Sequence, residues 1–396
     1  VPPTPITIEV ARERVLAACV QFGAEPVAVG DALDRVLAEA LSAAGDVPPF
    51  VNSAMDGFAV KAGASSGTLR IVGEARAGLP TDVALGAGEA IRISTGAPLP
   101  AGADAVVALE DVREAAGTID VGVEIAPGQH VRRAGEDLRA GTVVLEAGTR
   151  LGPAELGVAV GAGAGTVACA RRPRVAIVCT GDELREPGAP LRPGEIHNSN
   201  APMLAALAAR AGASPRAPRV VRDDRAATEA ALEEALAEAD VVIASGGVSV
   251  GPHDHVKDAL AELGVTERFW RVSLQPGKPT WFGTRGRQLV FGLPGNPVSS
   301  FVTFVLFARP ALLALQGADP LPSREQAMLA AGVERRAREQ VLRVRLEQHD
   351  GRLLATPNGS QRSHVSSSLA GADALAFVAP GAGGAPAGAS VPVERL

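Results

Sequence analysis

Residues 240–251, Asp240-Val241-Val242-Ile243-Ala244-Ser245-Gly246-Gly247-Val248-Ser249-Val250-Gly251, decide the fold. The unbroken apolar run from Val241 to Ala244 has the pattern of a strand buried on both faces, as in a parallel sheet covered by helices. It opens into a loop of three glycines and two serines, whose backbone N–H groups and hydroxyls suit a phosphate or another oxyanion. A second such loop, Gly292-Leu293-Pro294-Gly295-Asn296-Pro297, follows the short apolar run 288–291 and precedes a helical pattern. Two anion-ready loops imply a large polyanionic ligand.

Working outward from this stretch, the order strand, loop, helix repeats. A strand over 174–179 leads to Thr180-Gly181-Asp182-Glu183 and on to a helix opening at Asn200-Ala201-Pro202, where Asn200 is a candidate cap. A strand over 219–221 leads to Arg222-Asp223-Asp224, with Asp224 reading as the cap of an Ala- and Glu-rich helix that runs to 238. The strand 241–244 leads through the Gly/Ser loop to a helix over 254–263. Such alternation predicts parallel strands, right-handed crossovers and a ligand site at the carboxyl ends of the strands. That edge gathers Asp182, Glu183, Asp223, Asp224 and Asp254 beside two loops that seek anions. Carboxylates and a polyanion repel unless a cation lies between them, which predicts a divalent ion of the Mg²⁺ type bound by oxygen and shared with ligand phosphates. Lys278, in Pro276-Gly277-Lys278-Pro279, adds a fixed positive charge. Together these groups suit chemistry at a phosphoanhydride. The triplet His253-Asp254-His255 imitates a metal cluster, but neighbouring side chains diverge and no third His is near, so it does not read as a zinc site.

Elsewhere, residues 9–22 form an amphipathic pattern, with Val10, Leu16 and Val20 on the apolar side of a surface helix, and 31–43 reads as a second helix. From 48 to 172 the texture is β-rich, with short runs at 67–72, 90–94, 105–109, 118–123 and 142–145. The stretch 157–170, containing Gly161-Ala162-Gly163-Ala164-Gly165, fits close packing of small side chains better than a solvated tether. After a helix over 297–315, residues 319–396 return to β patterning at 340–346, 352–355 and 374–378, as in a small separate β domain.

At 396 residues the chain is long enough for two to four domains. A net charge of −6, no basic stripe, two Trp and no Tyr exclude a nucleic-acid footprint. Cys19, Cys169 and Cys179 lack the close spacing of a disulfide framework or thiolate metal site, which points to a reducing compartment. The N-terminus has no basic region followed by an apolar core, and no apolar run has the roughly 20 residues of a membrane span, so a cytoplasmic location is expected.

Seven strings in register closely resemble the molybdopterin molybdenumtransferase family, the MoeA proteins of bacteria and the E domain of gephyrin-type proteins. They are Asn52-Ser53-Ala54-Met55-Asp56-Gly57-Phe58-Ala59, Thr95-Gly96-Ala97-Pro98, Arg133-Ala134-Gly135-Glu136-Asp137, Thr180-Gly181-Asp182-Glu183-Leu184, the Gly/Ser loop 245–251, Pro276-Gly277-Lys278-Pro279 and the loop 292–297. The resemblance implies a multidomain chain of α/β and β-rich parts: an elongated N-terminal domain (1–50 and 134–172), an inserted β-rich domain (51–133), a three-layer molybdopterin-binding α/β domain (173–318) and a C-terminal β domain (319–396). It implies a homodimer in which Asp56 and Asp137 are contributed by the partner chain. The activity implied is insertion of molybdate into adenylylated molybdopterin, with Mg²⁺-dependent release of AMP.

On that resemblance Thr180, Gly181, Ser245, Gly246, Gly247, Ser249, Gly292, Pro294, Gly295, Asn296 and Pro297 hold the nucleotide and pterin phosphates. Asp182, Glu183, Asp223 and Asp254 place the metal, with Glu183 and Asp254 foremost. Lys278 holds molybdate or a phosphate, while Asp56 and Asp137 handle metal or protons. A molybdopterin adenylyltransferase and acceptor molybdoenzymes are the implied partners. The alternatives are a tungstate-specific or adenylyl-transferring relative and a non-catalytic, gephyrin-like scaffold. The chain departs from the family pattern at Val51, where an acidic residue is common, at Phe58, where Tyr is common, and at Arg271 and Gln275, where some members carry lysines.

Overall fold

The computed structural model describes residues 4–63, 67–249, 251 and 254–396. Its centre is a seven-stranded sheet in which Ser214–Pro215 and Arg219–Val221 both pair with Arg174–Thr180, followed in order by Val241–Ser245, Gln288–Leu293, Trp281–Arg285 and Thr266–Trp270. The first pairings are parallel. The last two strands are antiparallel, a departure from the all-parallel expectation. The cause is the tight turn 286–287, where Gly286 takes φ +57° and folds Trp281–Arg285 back on Gln288–Leu293 as a hairpin.

Alternation along the central strands divides their side chains between two helical layers. Val175, Ile177, Cys179, Ile243 and Phe291 face the helices Asn200–Arg210 and Pro297–Leu315. Ala176, Val178, Val242, Ala244 and Val290 face Arg225–Glu238 and Val256–Glu262. The result is a three-layer α/β unit. Asp224 caps its helix as read, accepting from Ala227 N–H at 2.8 Å. Asn200 does not cap: it is the first helical residue, and Asn198 Oδ1 accepts from Ala201 N–H instead. The helix expected from 254 begins at Val256.

The helix Pro297–Leu315 is long and apolar enough to span a membrane, but 78% of its apolar window is buried among the other elements, which makes it a core helix. The N-terminal helix Ile8–Ala17 packs against it, with Ile8, Ala11, Arg12 and Val15 buried. That is not the face expected: Val10 and Leu16 are half-buried, and the helix ends at Ala17 instead of running to 22, leaving Val20 exposed beyond it. Arg12 lies inside because its guanidinium is fully engaged, bonding Glu394 at 2.7 Å through both terminal nitrogens and Leu306 O at 3.0 Å through Nε.

The expected helix over 31–43 is absent. Its backbone pairs over long range, Asp34 N–H with Leu151 O, Leu37 N–H with Thr149 O and Ala38 N–H with Ala168 O, and Asp34 takes φ +62°. These partners lie beside the strand pair Ala24–Ala28 and Thr166–Ala170. The glycine-rich stretch is the helix Pro153–Gly161 and the second of those strands, so it is packed structure and no tether.

A six-stranded sheet covers residues 57–121, with separate apolar clusters on its two faces. The C-terminal segment closes into a five-stranded ring: Glu339–His349, Arg352–Pro357, Glu325–Leu329, Ser390–Arg395 and Ala374–Val378, which pairs back with the first. It is less separate than its sequence implied. Val341, Leu375 and Phe377 belong to the same core cluster as the central helix, and Leu274–Gln275 of the α/β unit pairs with Glu339 and Gln340 of the ring.

Candidate functional site

The carboxyl ends of the parallel strands open into a cavity of about 800 Å³. Its walls are the loop after Arg174–Thr180, the Gly/Ser loop and the loop 292–297. Thr180, Gly181, Ser245, Gly246, Gly247, Ser249, Pro294, Gly295, Asn296 and Pro297 all line it. Gly292 sits just behind, where a Cβ would press within 2.7 Å of Val248. Val250 lies outside the described residues.

Backbone geometry explains why this loop is built from glycine. Gly246 and Gly247 adopt φ +95° and +65°, and a Cβ on either would lie within 3 Å of a neighbour, Thr180 O for the first and Val256 Cγ2 for the second. The strand end therefore turns tightly, with Gly246 N–H bonded to Leu293 O at 3.1 Å, and brings Gly246 and Gly247 to the cavity wall. Thr180 Oγ1 and Asn200 Oδ1 are buried there without a hydrogen-bond partner among the described residues, which is costly unless a ligand supplies one. Beneath them Cys179 is buried, and desolvation pushes its thiol up to about 11, so it has no nucleophilic role at neutral pH.

Of the four carboxylates read as metal ligands, Glu183, Asp223 and Asp254 line this cavity and Asp182 does not. Nor do they assemble a protein-only coordination sphere: among the described residues no three His, Cys, Asp or Glu side chains gather for a metal. The reason is local bonding. Asp254 Oδ2 accepts from Gly251 N–H at 2.7 Å, closing its own loop, and Asp223 Oδ2 takes a long 3.4 Å contact from Asp182 N–H. The donor set remains suited to Mg²⁺, which is held by one or two carboxylates together with substrate phosphates and retained waters. His253 lies outside the described residues.

Lys278 is not in that cavity. It lines a second, adjoining one of about 540 Å³ together with Arg336, Arg338, Arg343, Arg362 and His364, and no carboxylate is among the lining residues. Pro279, Pro294, Asn296 and His364 line both cavities and form the wall between them. Arg343 is fully buried, and among the described residues its guanidinium meets only neutral acceptors, Ser368 Oγ at 3.1 Å and Ser360 O at 3.0 Å included. Burial draws its pKa down to about 10, which leaves it charged at neutral pH. The second chamber is thus a fixed positive pocket. Its arginines went unnoticed in the sequence because they come from the C-terminal ring and have no local motif.

Gln275 lines this chamber, but Arg271 is turned away, with its guanidinium 4.3 Å from the centre of the Trp270 ring. Phe58 is fully buried, with the Arg92 guanidinium 4.8 Å from its ring centre, so the absent hydroxyl faces the protein interior.

Asp56 and Asp137 line neither chamber. Asp56 Oδ1 accepts from Thr95 N–H at 2.7 Å, and Asp137 lines a third cavity of about 390 Å³ with Pro48, Asn52, Arg132 and Glu136. Three of the quoted strings nevertheless meet here: Asn52 lines this cavity with Glu136 and Asp137, and Ser53 exchanges backbone bonds with Gly96 and Ala97. Gly57 is enforced at this point, since a Cβ would lie 1.9 Å from Val107 O.

Comparison with known proteins covers nearly the whole chain. The model of the MoeA N-terminal region (domain I and II) matches residues 6–163, that of a probable molybdopterin binding domain 176–314, and that of the MoeA C-terminal region (domain IV) 326–396. The chain is 35% identical to the molybdopterin molybdenumtransferase of Bacillus subtilis over 98% of its own length and 94% of that protein. It is 38% identical to molybdopterin molybdenumtransferase 2 of Mycobacterium tuberculosis over 85% of its length and 88% of that protein. A crystal structure of a molybdopterin biosynthesis MoeA protein from Pyrococcus horikoshii superposes with a TM-score of 0.83, covering 99% of both chains at 33% identity.

Proposed function

This chain belongs to the MoeA family of molybdopterin molybdenumtransferases, and from that premise we propose that its two adjoining chambers bring adenylylated molybdopterin and molybdate together for molybdenum insertion. One observation carries the reading: a cavity of glycine loops and carboxylates abuts a carboxylate-free basic pocket across a shared wall.

The pterin nucleotide occupies the larger chamber, with its phosphates on the Gly/Ser loop and on the loop 292–297. Molybdate, a tetrahedral dianion, occupies the smaller chamber against Lys278 and the arginines of the C-terminal ring. Mg²⁺ would be held by one or two of the lining carboxylates, with Glu183 and Asp223 the available pair because Asp254 already closes its own loop. Bound there, the ion would neutralise the charge that builds up as a water oxygen bonds to phosphorus, the phosphoanhydride breaks, and AMP and molybdopterin phosphate separate. The wall residues Pro279, Pro294 and Asn296 keep the two substrates in line, which is the positioning this chemistry needs. Asp56 and Asp137 act on the site of a second copy in a homodimer, since neither reaches the chambers of its own chain.

Replacing the Glu183 carboxylate with an isosteric amide tests the assignment. Glu183→Gln is expected to lower kcat for AMP release by on the order of 10²-fold with an unchanged thermal melt. A variant that keeps full turnover would show that the carboxylate does not serve the reaction.

A further inference from the structure

We propose that Asn200 is a positioning residue that staples the two glycine-rich loops into a single anion cradle, an inference that rests on the nucleotide-binding reading of the larger chamber. Asn200 Nδ2 donates to Ser245 Oγ at 2.9 Å and to Gly295 O at 2.7 Å. A carbonyl oxygen only accepts, so the contact with Gly295 fixes which way the amide faces. One amide nitrogen thereby joins the Gly/Ser loop, the loop 292–297 and the start of a core helix. Its base is firm, because Ala201, Leu204 and Ala208 of that helix are buried.

The loops it joins already touch. Gly246 N–H donates to Leu293 O at 3.1 Å, and a Cβ on Gly295 would lie 3.7 Å from Gly246 Cα. From the other side Asn296 Nδ2 donates to Ser363 Oγ at 3.1 Å and Val298 N–H to Ser363 O at 3.2 Å, which ties the same loop to the C-terminal ring next to His364. The wall between the chambers is therefore held at both ends, and Asn200 holds the end that carries the nucleotide phosphates. The Asn200 amide oxygen is buried and has no hydrogen-bond partner among the described residues, where the staple alone orients the side chain. An aspartate of the same shape has no N–H to donate and opposes the Gly295 carbonyl with a second oxygen.

The experiment measures KM for adenylylated molybdopterin and for molybdate, kcat for AMP release, and the thermal melt, in the wild type, Asn200→Ala and Asn200→Asp. Loss of two hydrogen bonds predicts a rise of about ten- to thirtyfold in KM for the pterin nucleotide, larger in Asn200→Asp, with a smaller rise for molybdate. In both variants kcat stays within about threefold of wild type, because the staple touches no reacting atom. Unchanged KM values for both substrates, or a collapse of kcat at constant KM, would overturn the proposal. Should both Asn200 variants fail to fold, the milder Asn200→Ser, whose short hydroxyl cannot reach Ser245 and Gly295 O together, decides by the same KM readout. Should the wild type itself show no turnover, the function proposed above fails while the staple is still judged by AMP affinity in calorimetry. Weaker binding of AMP by the variants then supports it, and equal binding contradicts it.

Discussion

At the scale of single residues, glycine geometry sets the site. Gly246 combines a left-handed φ of +95° with a backbone oxygen, Thr180 O, 2.8 Å from where a Cβ would stand. An alanine pays for the conformation and the clash together, and the neighbour in the way cannot rotate aside. Gly246→Ala is expected to cost about 1–3 kcal/mol of stability, seen as a lowered melting temperature, and to weaken AMP binding in the same preparation. A variant with wild-type melting and wild-type binding would contradict the geometry given for this loop. The sequence made the glycines legible because each follows a continuous apolar strand. Asn200 was legible only as a helix-start residue, since its partner Gly295 lies 95 positions further on.

Among elements, the join between the N-terminal helix, the core helix and the C-terminal ring has a traceable cause. Pro310 has no N–H to offer the Leu306 carbonyl, and around it Phe304–Ala308 widens into a π-helical turn. Arg12 Nε donates to that freed carbonyl at 3.0 Å while its terminal nitrogens grip Glu394, which also receives Arg324 Nε at 2.9 Å. Burial alone would raise the Glu394 pKa, but Arg12 and Arg324 together hold it below its ordinary 4.5. A depressed carboxylate pKa contributes stability at pH values above 4.5, and the contribution is lost as pH falls through the folded value. Melting temperature followed from pH 6 down to pH 3 should fall more steeply in the wild type than in Glu394→Gln, which is destabilised by about 3–5 kcal/mol at neutral pH. Parallel curves would show that this carboxylate is not the group titrating. Such joins explain the sequence misreadings: the Arg12 face looked like the solvent side because its partner is 382 residues away. The segment 31–43 looked helical because its strand-like partners at 149–151 and 168 are also remote in sequence.

On the scale of the whole molecule, the fold apposes an acidic, loop-rich chamber with a basic one, and the proposed function rests on that apposition. Strand order placed Glu183, Asp223 and Asp254 at one edge of the sheet, and that much could be read from the repeat of strand, loop and helix. The separation of Lys278 from those carboxylates could not. The second chamber exists only because the C-terminal ring docks on the α/β unit through Leu274–Gln275 and delivers Arg336, Arg338, Arg343 and Arg362 to it. Its positive charge, unopposed by any lining carboxylate, is what suits it to a small oxyanion. On the proposed reading the pairing of chambers would make the two substrates interdependent, because molybdate beside Lys278 would lie one wall away from the nucleotide phosphates.

The most direct measurement is therefore the rate of AMP release from adenylylated molybdopterin and Mg²⁺ by the wild-type protein as molybdate is varied from zero. The two-chamber account predicts release that rises and saturates with molybdate and yields a product able to activate a molybdenum-free molybdoenzyme. Release at the same rate without molybdate, or binding of the nucleotide with no release at any molybdate concentration, would contradict it.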